Sequence, residues 1–110
     1  MEECIFCKIV KGEIPSTKVF DEEKVIAFND INPKAKVHIL VIPKKHIESV
    51  KSLEESDRVL VGELFLVAKN IAKEKNLQGY KIIINVGREG GQLVDHLHLH
   101  LLSGDVKLGV

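Results

Sequence analysis

The segment His96-Leu97-His98-Leu99-His100-Leu101-Leu102 carries the strongest chemical signal in the chain. In a strand, side chains alternate faces with period two. His96, His98 and His100 then stand on one face, while Leu97, Leu99 and Leu101 enter a core on the other. Neighbouring imidazoles on such a face are about 6.5–7 Å apart at their Cα atoms. Two chemistries suit this array. The three rings are the ligands of a catalytic His₃ zinc site, or one ring is a nucleophile whose neighbours position the reacting group. Near neutral pH an imidazole is neutral enough to attack and basic enough to leave again, and phosphorus is an electrophile suited to it. The preceding loop, Gly87-Arg88-Glu89-Gly90-Gly91, supplies backbone N–H groups able to approach a phosphate closely. The bland alternative is a solvent-facing strand with chance histidines. Three in register beside a triple-glycine loop argue against it.

A second candidate is Cys4-Ile5-Phe6-Cys7. By itself this spacing fits half a zinc site, a redox pair or coincidence. Redox pairs usually open a helix after a strand in a thioredoxin-like context, which this sequence does not show.

The elements that must position these residues follow from periodicity. Ile5 to Val10 reads as a short helical turn. Lys18 to Phe20 and Lys24 to Phe28 alternate like two strands, with Asp21-Glu22-Glu23 as the hairpin turn. Val37 to Ile42 is nearly all apolar, which predicts a central strand ended by Pro43. Ser52 and Glu55 have capping-box spacing, predicting a helix over about 54–75 with Leu60, Leu64, Val67 and Ile71 on its apolar stripe. Val61, Phe65 and Ala72 widen that stripe. Asn76 and Gly79 stop the helix. Residues 80–86 and 95–101 read as the last two strands. The expected architecture is α+β: a five-stranded antiparallel sheet, one long and one short helix, and both helices on one face.

Composition bounds the rest. A chain of 110 residues, 45% of them hydrophobic, is one domain over 1–110 with a real core. Sixteen basic residues balance sixteen acidic ones, which excludes broad electrostatic binding of nucleic acid or of an anionic membrane. No apolar run approaches the roughly 18 residues of a membrane span. The acidic N-terminus lacks the basic and apolar regions of a signal peptide, so a cytoplasmic location is expected.

The histidine segment resembles the signature of the histidine triad superfamily, His-φ-His-φ-His-φ-φ with φ apolar. The likeness runs through nearly the whole chain. Cys4-Ile-Phe-Cys7, Glu13-Ile-Pro15, Ala27-Phe-Asn-Asp30-Ile-Asn-Pro33, His38-Ile-Leu-Val-Ile-Pro-Lys-Lys-His46, Asn85-Val-Gly87 and Gly90-Gly-Gln92 match the Hint-like branch in order. The resemblance implies a two-fold homodimer with a continuous sheet. It also implies hydrolysis of purine nucleoside phosphoramidates or related phosphoanhydrides, with release of a nucleoside monophosphate. In that reading His98 is the nucleophile, the carbonyl of His96 holds its Nδ1–H, His100 faces the phosphate, and His38 supports the triad. Asn85 and the backbone of Gly91, Gln92 and Leu93 surround the phosphate and leaving group. Asp30 takes the ribose, and Phe6, Ile9, Phe28, Ile31 and Leu40 are apolar candidates for the base. Some bacterial members carry a structural zinc, which this resemblance places on Cys4, Cys7, His46 and His96. Two departures stand out: Leu93 replaces a hydroxyl residue, and Gly109 stands where eukaryotic relatives place an indole.

Overall fold

The computed structural model describes residues 4–106, so Gly109 lies outside them. Seven principal elements follow one another: α1 (Ile5–Val10), β1 (Lys18–Asp21), β2 (Val25–Asn29), β3 (Val37–Pro43), α2 (Arg58–Glu74), β4 (Lys81–Ile83) and β5 (Leu99–Ser103). The five strands form one sheet in the order β1-β2-β3-β5-β4, every neighbouring pair antiparallel. The α+β expectation therefore holds, with the apolar run at the centre of the sheet.

The two helices lie on opposite faces, not on one. Ile39 and Val41 of β3 join Leu99 and Leu101 of β5 in a core that contains Leu64, Val67, Ala68 and Ile71 of α2. Leu40 and Ile42 point the other way and pack with Phe6 and Ile9 of α1. Because β3 is apolar at both parities, it needs cover on both faces, and one helix serves each.

Helix α2 starts four residues later than its expected beginning. Its entry is a 3₁₀ turn, Glu55–Asp57, and the reciprocal bond comes from Asp57, whose Oδ2 accepts from the Glu54 N–H at 2.9 Å. Ser49, not a residue nearer the helix, caps the preceding turn. At the other end Asn76 adopts φ 56°. The Leu77 N–H bonds to the Ala72 carbonyl and the Asn76 N–H to that of Lys73, which is the Schellman stop. The stripe is buried at Leu64, Val67, Ala68, Ile71 and Ala72, whereas Val59, Phe65 and Leu66 face outward.

The last strand runs Leu99–Ser103, not 95–101. The β3–β5 register pairs Val41 with Leu99, so Leu97 would come opposite Pro43, which has no N–H to give the ladder. The chain departs there: the Leu97 N–H bonds to the Ile47 carbonyl at 2.7 Å. Strand β4 is short, Lys81–Ile83, and pairs with Leu102, Leu101 and His100 of β5.

Candidate functional site

The alternation expected of the histidine segment survives outside the ladder. Leu97, Leu99 and Leu101 lie in the α2-side core. His96 and His98 are buried on the other side, and His100 is half-buried there. The rings of His98 and His100 are 4.9 Å apart. His38 belongs to the same group, its ring 5.2 Å from that of His100. The register explains this: His100 pairs with Leu40, so His38, two residues before Leu40, is its diagonal neighbour on the same face.

Hydrogen bonds to groups of fixed polarity settle the tautomers. The His96 carbonyl can only accept, so the Nδ1–H of His98 donates to it at 2.7 Å, and the lone pair of His98 is left on Nε2. The Lys34 backbone N–H can only donate, so the Nδ1 of His38 accepts from it at 3.0 Å. Neutral His38 therefore carries its proton on Nε2 and donates to the Nδ1 of His100 at 2.9 Å. His100 is thereby left with an Nε2–H, which is buried and has no hydrogen-bond partner among the described residues. One ring thus offers a lone pair and its neighbour a ready donor, the pairing needed for attack on a centre that bears a negative oxygen.

Burial keeps these rings neutral. It lowers the pKa of His38 and His98 and pushes that of His100 down to about 4, with His98 and His38 opposing its charge further. The Asp30 carboxylate pulls all three the other way and is outweighed by desolvation. Asp30 Oδ2 lies 3.5 Å from the Nε2 of His38, and Oδ1 accepts from the Asn32 N–H at 2.8 Å, which fixes the carboxylate at the end of β2. Asp30, His38 and His100 also place one potential ligand atom each within 4.8 Å. A metal on the Nε2 of His38 would require the proton on Nδ1, where the Lys34 N–H already points, so the group reads as a proton-ordered chain.

His96 points elsewhere. Its Nε2–H donates to the Pro43 carbonyl at 2.8 Å, so the lone pair is on Nδ1. That atom is 3.4 Å from the Cys4 Sγ and 3.6 Å from the Cys7 Sγ. The Cys7 Sγ is in turn 3.2 Å from the Nδ1 of His46. A tetrahedron with zinc–sulfur and zinc–nitrogen bonds of about 2.3 and 2.05 Å has S···N edges of about 3.5 Å. The Cys₂His₂ donor set therefore fits a zinc ion. Burial and the neighbouring Cys4 push the Cys7 thiol up, so a metal ion here would bind by displacing thiol protons. Among the described residues His96, His98 and His100 do not gather into a His₃ site: the free Nδ1 of His96 faces the two thiols, and His100 groups with His38 and Asp30 instead.

The glycine loop is closed by its own hydrogen bonds. Gly87 and Gly91 take φ of 70° and 88°, values that favour glycine. The Gly90, Gly91 and Gln92 N–H groups bond to the carbonyls of Gly87, Arg88 and Gly87. Among the described residues the Leu93 N–H has no such partner. The Gln92 side chain is buried and fully engaged: its Oε1 accepts from the Gly87 N–H at 2.9 Å, and its Nε2 donates to the carbonyls of Glu48 and Val94 at 2.8 and 3.0 Å. Arg88 closes the loop through the Gln92 carbonyl and Asp95. Asn85 lies against Gly91, its carboxamide 3.9 Å from where a Cβ there would sit.

The apolar candidates divide in two. Phe6, Ile9, Phe28 and Leu40 pack together in the α1-side core, whereas Ile31 and Leu93 are 87% and 82% exposed. A separate cleft of about 570 Å³, lined by Phe20, Glu22, Glu63 and Leu66 among others, contains none of the histidines. The contributions of the Lys34 N–H and the Pro43 carbonyl had no signal in the sequence, because backbone groups act in both.

An antiparallel sheet that carries a nucleophile-and-donor pair of imidazoles, with a third histidine turned to a Cys₂His₂ cluster, defines the class. The family described as "Scavenger mRNA decapping enzyme C-term binding" matches residues 3–110. A 14 kDa zinc-binding protein of Zea mays is 50% identical over 103 residues, which cover 91% of this chain and 80% of that protein. A histidine triad protein from Clostridium difficile superposes with a TM-score of 0.95 at 46% identity, covering 100% of this chain and 97% of that one. A HIT family hydrolase from Legionella pneumophila superposes with a TM-score of 0.92 at 43% identity, covering 97% and 96%. The chain belongs to the histidine triad family.

Proposed function

We propose that the protein is a hydrolase that acts at the α-phosphorus of purine nucleoside phosphoramidates or related phosphoanhydrides through a covalent nucleotidyl-His98. The observation that carries this reading is the His98 Nδ1–H bond to the His96 carbonyl, which leaves Nε2 as the attacking lone pair.

His98 Nε2 bonds to phosphorus as the bond to the leaving group breaks, and the departing amine takes a proton that is ultimately replaced from water. Water then attacks phosphorus, the P–N bond returns its electrons to His98, and a nucleoside monophosphate leaves. One hard displacement becomes two easier ones. The His100 Nε2–H stabilises a non-bridging oxygen in both steps, and His38, ordered by Lys34, holds that donor in place. Asn85 and the loop of Gly91, Gln92 and Leu93 frame the phosphate; of the loop's amides, that of Leu93 is free to donate. Asp30 accepts from the ribose hydroxyls. Ile31 covers the base, and Phe6, Ile9 and Leu40 form the apolar floor beneath it.

Cys4, Cys7, His46 and His96 would hold a structural zinc. With four protein ligands it has no open position, and its contribution is to fix α1 and His96. A homodimer is supported by the β4 edge of the sheet and by the outward Val59, Phe65, Leu66 and Tyr80. Among the described residues no helix is long and apolar enough to cross a membrane, in keeping with a cytoplasmic enzyme.

Intact-mass spectrometry of the protein mixed with a slow adenosine phosphoramidate tests the chemistry. The expected result is an added nucleoside monophosphate that maps to His98 and is lost in His98→Ala. Turnover retained by His98→Ala, or nucleotide affinity with neither adduct nor turnover, refutes it. The latter outcome defines a non-catalytic nucleotide-binding module.

A further inference from the structure

His38 has one ring proton to give and two acceptors in reach. Its Nδ1 accepts from the Lys34 N–H at 3.0 Å, so the proton is on Nε2. The Nδ1 of His100 lies 2.9 Å from that nitrogen, and the Asp30 Oδ2 lies 3.5 Å from it. The imidazole is at hydrogen-bond distance. The carboxylate is too far for a full bond, yet it is charged and so the stronger acceptor for a proton that leans its way. Which acceptor holds the proton decides what His100 offers. While the proton points at the Nδ1 of His100, that ring keeps its own proton on Nε2, the buried donor without a partner among the described residues. When it leans to Asp30, the Nδ1 of His100 loses its donor, and the ring is no longer held to one tautomer.

The carboxylate is also placed to feel a ligand. Oδ1 accepts from the Asn32 N–H at 2.8 Å, which leaves Oδ2 as the freer oxygen. The Asp30 side chain keeps 20% of its surface open, against 3% for His38. A ligand therefore reaches Asp30 directly and His38 only through it. A hydroxyl that donates to Oδ2 weakens that oxygen as an acceptor for His38.

We infer that Asp30 and His38 couple the recognition of ribose hydroxyls to the His100 donor: hydroxyls on Oδ2 remove the competing acceptor and commit the His38 proton to the Nδ1 of His100. The inference deepens the proposed function, which puts a ribose at Asp30, and its kinetic part rests on that reading. No proton changes its atom; the one on His38 changes its partner. His38 is thus a positioning residue, and preference for ribose over dideoxyribose is expressed in turnover as well as in binding.

The test compares the zinc-loaded wild type with Asp30→Asn and Asp30→Ala. Asparagine keeps an Oδ1 for the Asn32 N–H and presents a donor where Oδ2 stood; alanine removes both oxygens. The ¹⁵N–¹⁵N coupling across the hydrogen bond from His38 Nε2 to His100 Nδ1 reads the shared proton without any chemistry. It is expected to be larger in both variants than in the wild type. In the wild type it should grow on saturation with adenosine and not with 2′,3′-dideoxyadenosine. On an adenosine phosphoramidate lacking both ribose hydroxyls the wild-type turnover number should fall by about 10-fold, part of the roughly 100-fold or more lost with a whole oxyanion donor. Both variants should turn over that substrate about threefold or more faster than the wild type, on the same scale, because the competing acceptor is gone. A plain ribose anchor predicts no such gain. Equal couplings in the wild type and the variants overturn the inference, as does a wild-type coupling that adenosine leaves unchanged. Variants no faster than the wild type on the dideoxy substrate make Asp30 an anchor only and overturn it too. If the coupling responds to adenosine but no form of the protein turns over any nucleotide, the proposed function fails and the link from Asp30 to His100 stands.

Discussion

Replacing Gln92 by leucine separates a structural role from a chemical one. The side chain is 2% exposed and makes three hydrogen bonds, to the Gly87 N–H and to the carbonyls of Glu48 and Val94. Leucine keeps most of the volume and makes none of them. Each bond contributes about 1 kcal/mol net, and a buried partner left unpaired costs about 1–3 kcal/mol. Gly87 is only half-buried, so water recovers part of its bond, and the sum comes to about 3 kcal/mol. In a domain of this size a loss of 1 kcal/mol lowers Tm by about 4 °C, so the expected fall is about 12 °C. Urea unfolding followed by circular dichroism, at fixed zinc, measures it. A loss under about 1 kcal/mol, on the scale of one hydrogen bond, refutes the clamp. So does a collapse of turnover at unchanged stability, which would put the carboxamide on the substrate instead of on the loop.

Chelating the metal from the protein should lower Tm, and His46→Ala should do the same while His38→Ala leaves metal content at one ion per chain by elemental analysis; equal metal loss in both variants would misplace the site. Acid should destabilise the fold through His38 and His100, the rings ringed by Asp30, Lys34 and His98. Their folded pKa values are depressed, so between about pH 6.5 and the folded value the unfolded chain binds more protons. For His100 stability is complete above about pH 6.5 and falls toward pH 4, by up to about 1.4 kcal/mol per pH unit, and His38 acts in the same direction. Urea titrations at pH 7 and 5 should show this slope, and His100→Asn should flatten it; an unchanged slope would refute the assignment. Leu99→Ala opens a cavity in the α2-side core, where Leu99 is 1% exposed, and should cost about 2–5 kcal/mol by the same unfolding assay.

The parity of the histidine segment was readable from its sequence because period two needs only the local chain, and the leucines do enter one core while the imidazoles share the other face. The strand limits were not readable. They depend on Pro43 meeting Leu97 across the sheet, a register fact invisible to either segment alone. The same holds for the faces of the two helices: Ile9 and Phe6 look like any short apolar stripe, and only the double-sided apolar pattern of Val37 to Ile42 hinted that both faces need cover. Ser52 and Glu55 had the capping spacing, yet Asp57 makes the bond, because Lys45 at 2.8 Å draws it there and holds its carboxyl below the usual range. The Gln92 segment was expected at the phosphate through its backbone, and no local sign showed that its side-chain amide is consumed by Gly87, Glu48 and Val94. The spacing of the cysteine pair alone left its chemistry open; the family resemblance named His46 and His96 as its partners, and the fold brings both, distant in sequence, against it.

The interleaving of leucine and histidine between positions 96 and 101 has an evolutionary corollary. Stability and reactivity are encoded on alternate letters of one short word. Substitution can tune either set separately, one position at a time. A single inserted or deleted residue would exchange the two sets, turning imidazoles into the oily interior and leucines toward the phosphate. Lineages of such a chain can therefore vary the spelling of this segment but not its length.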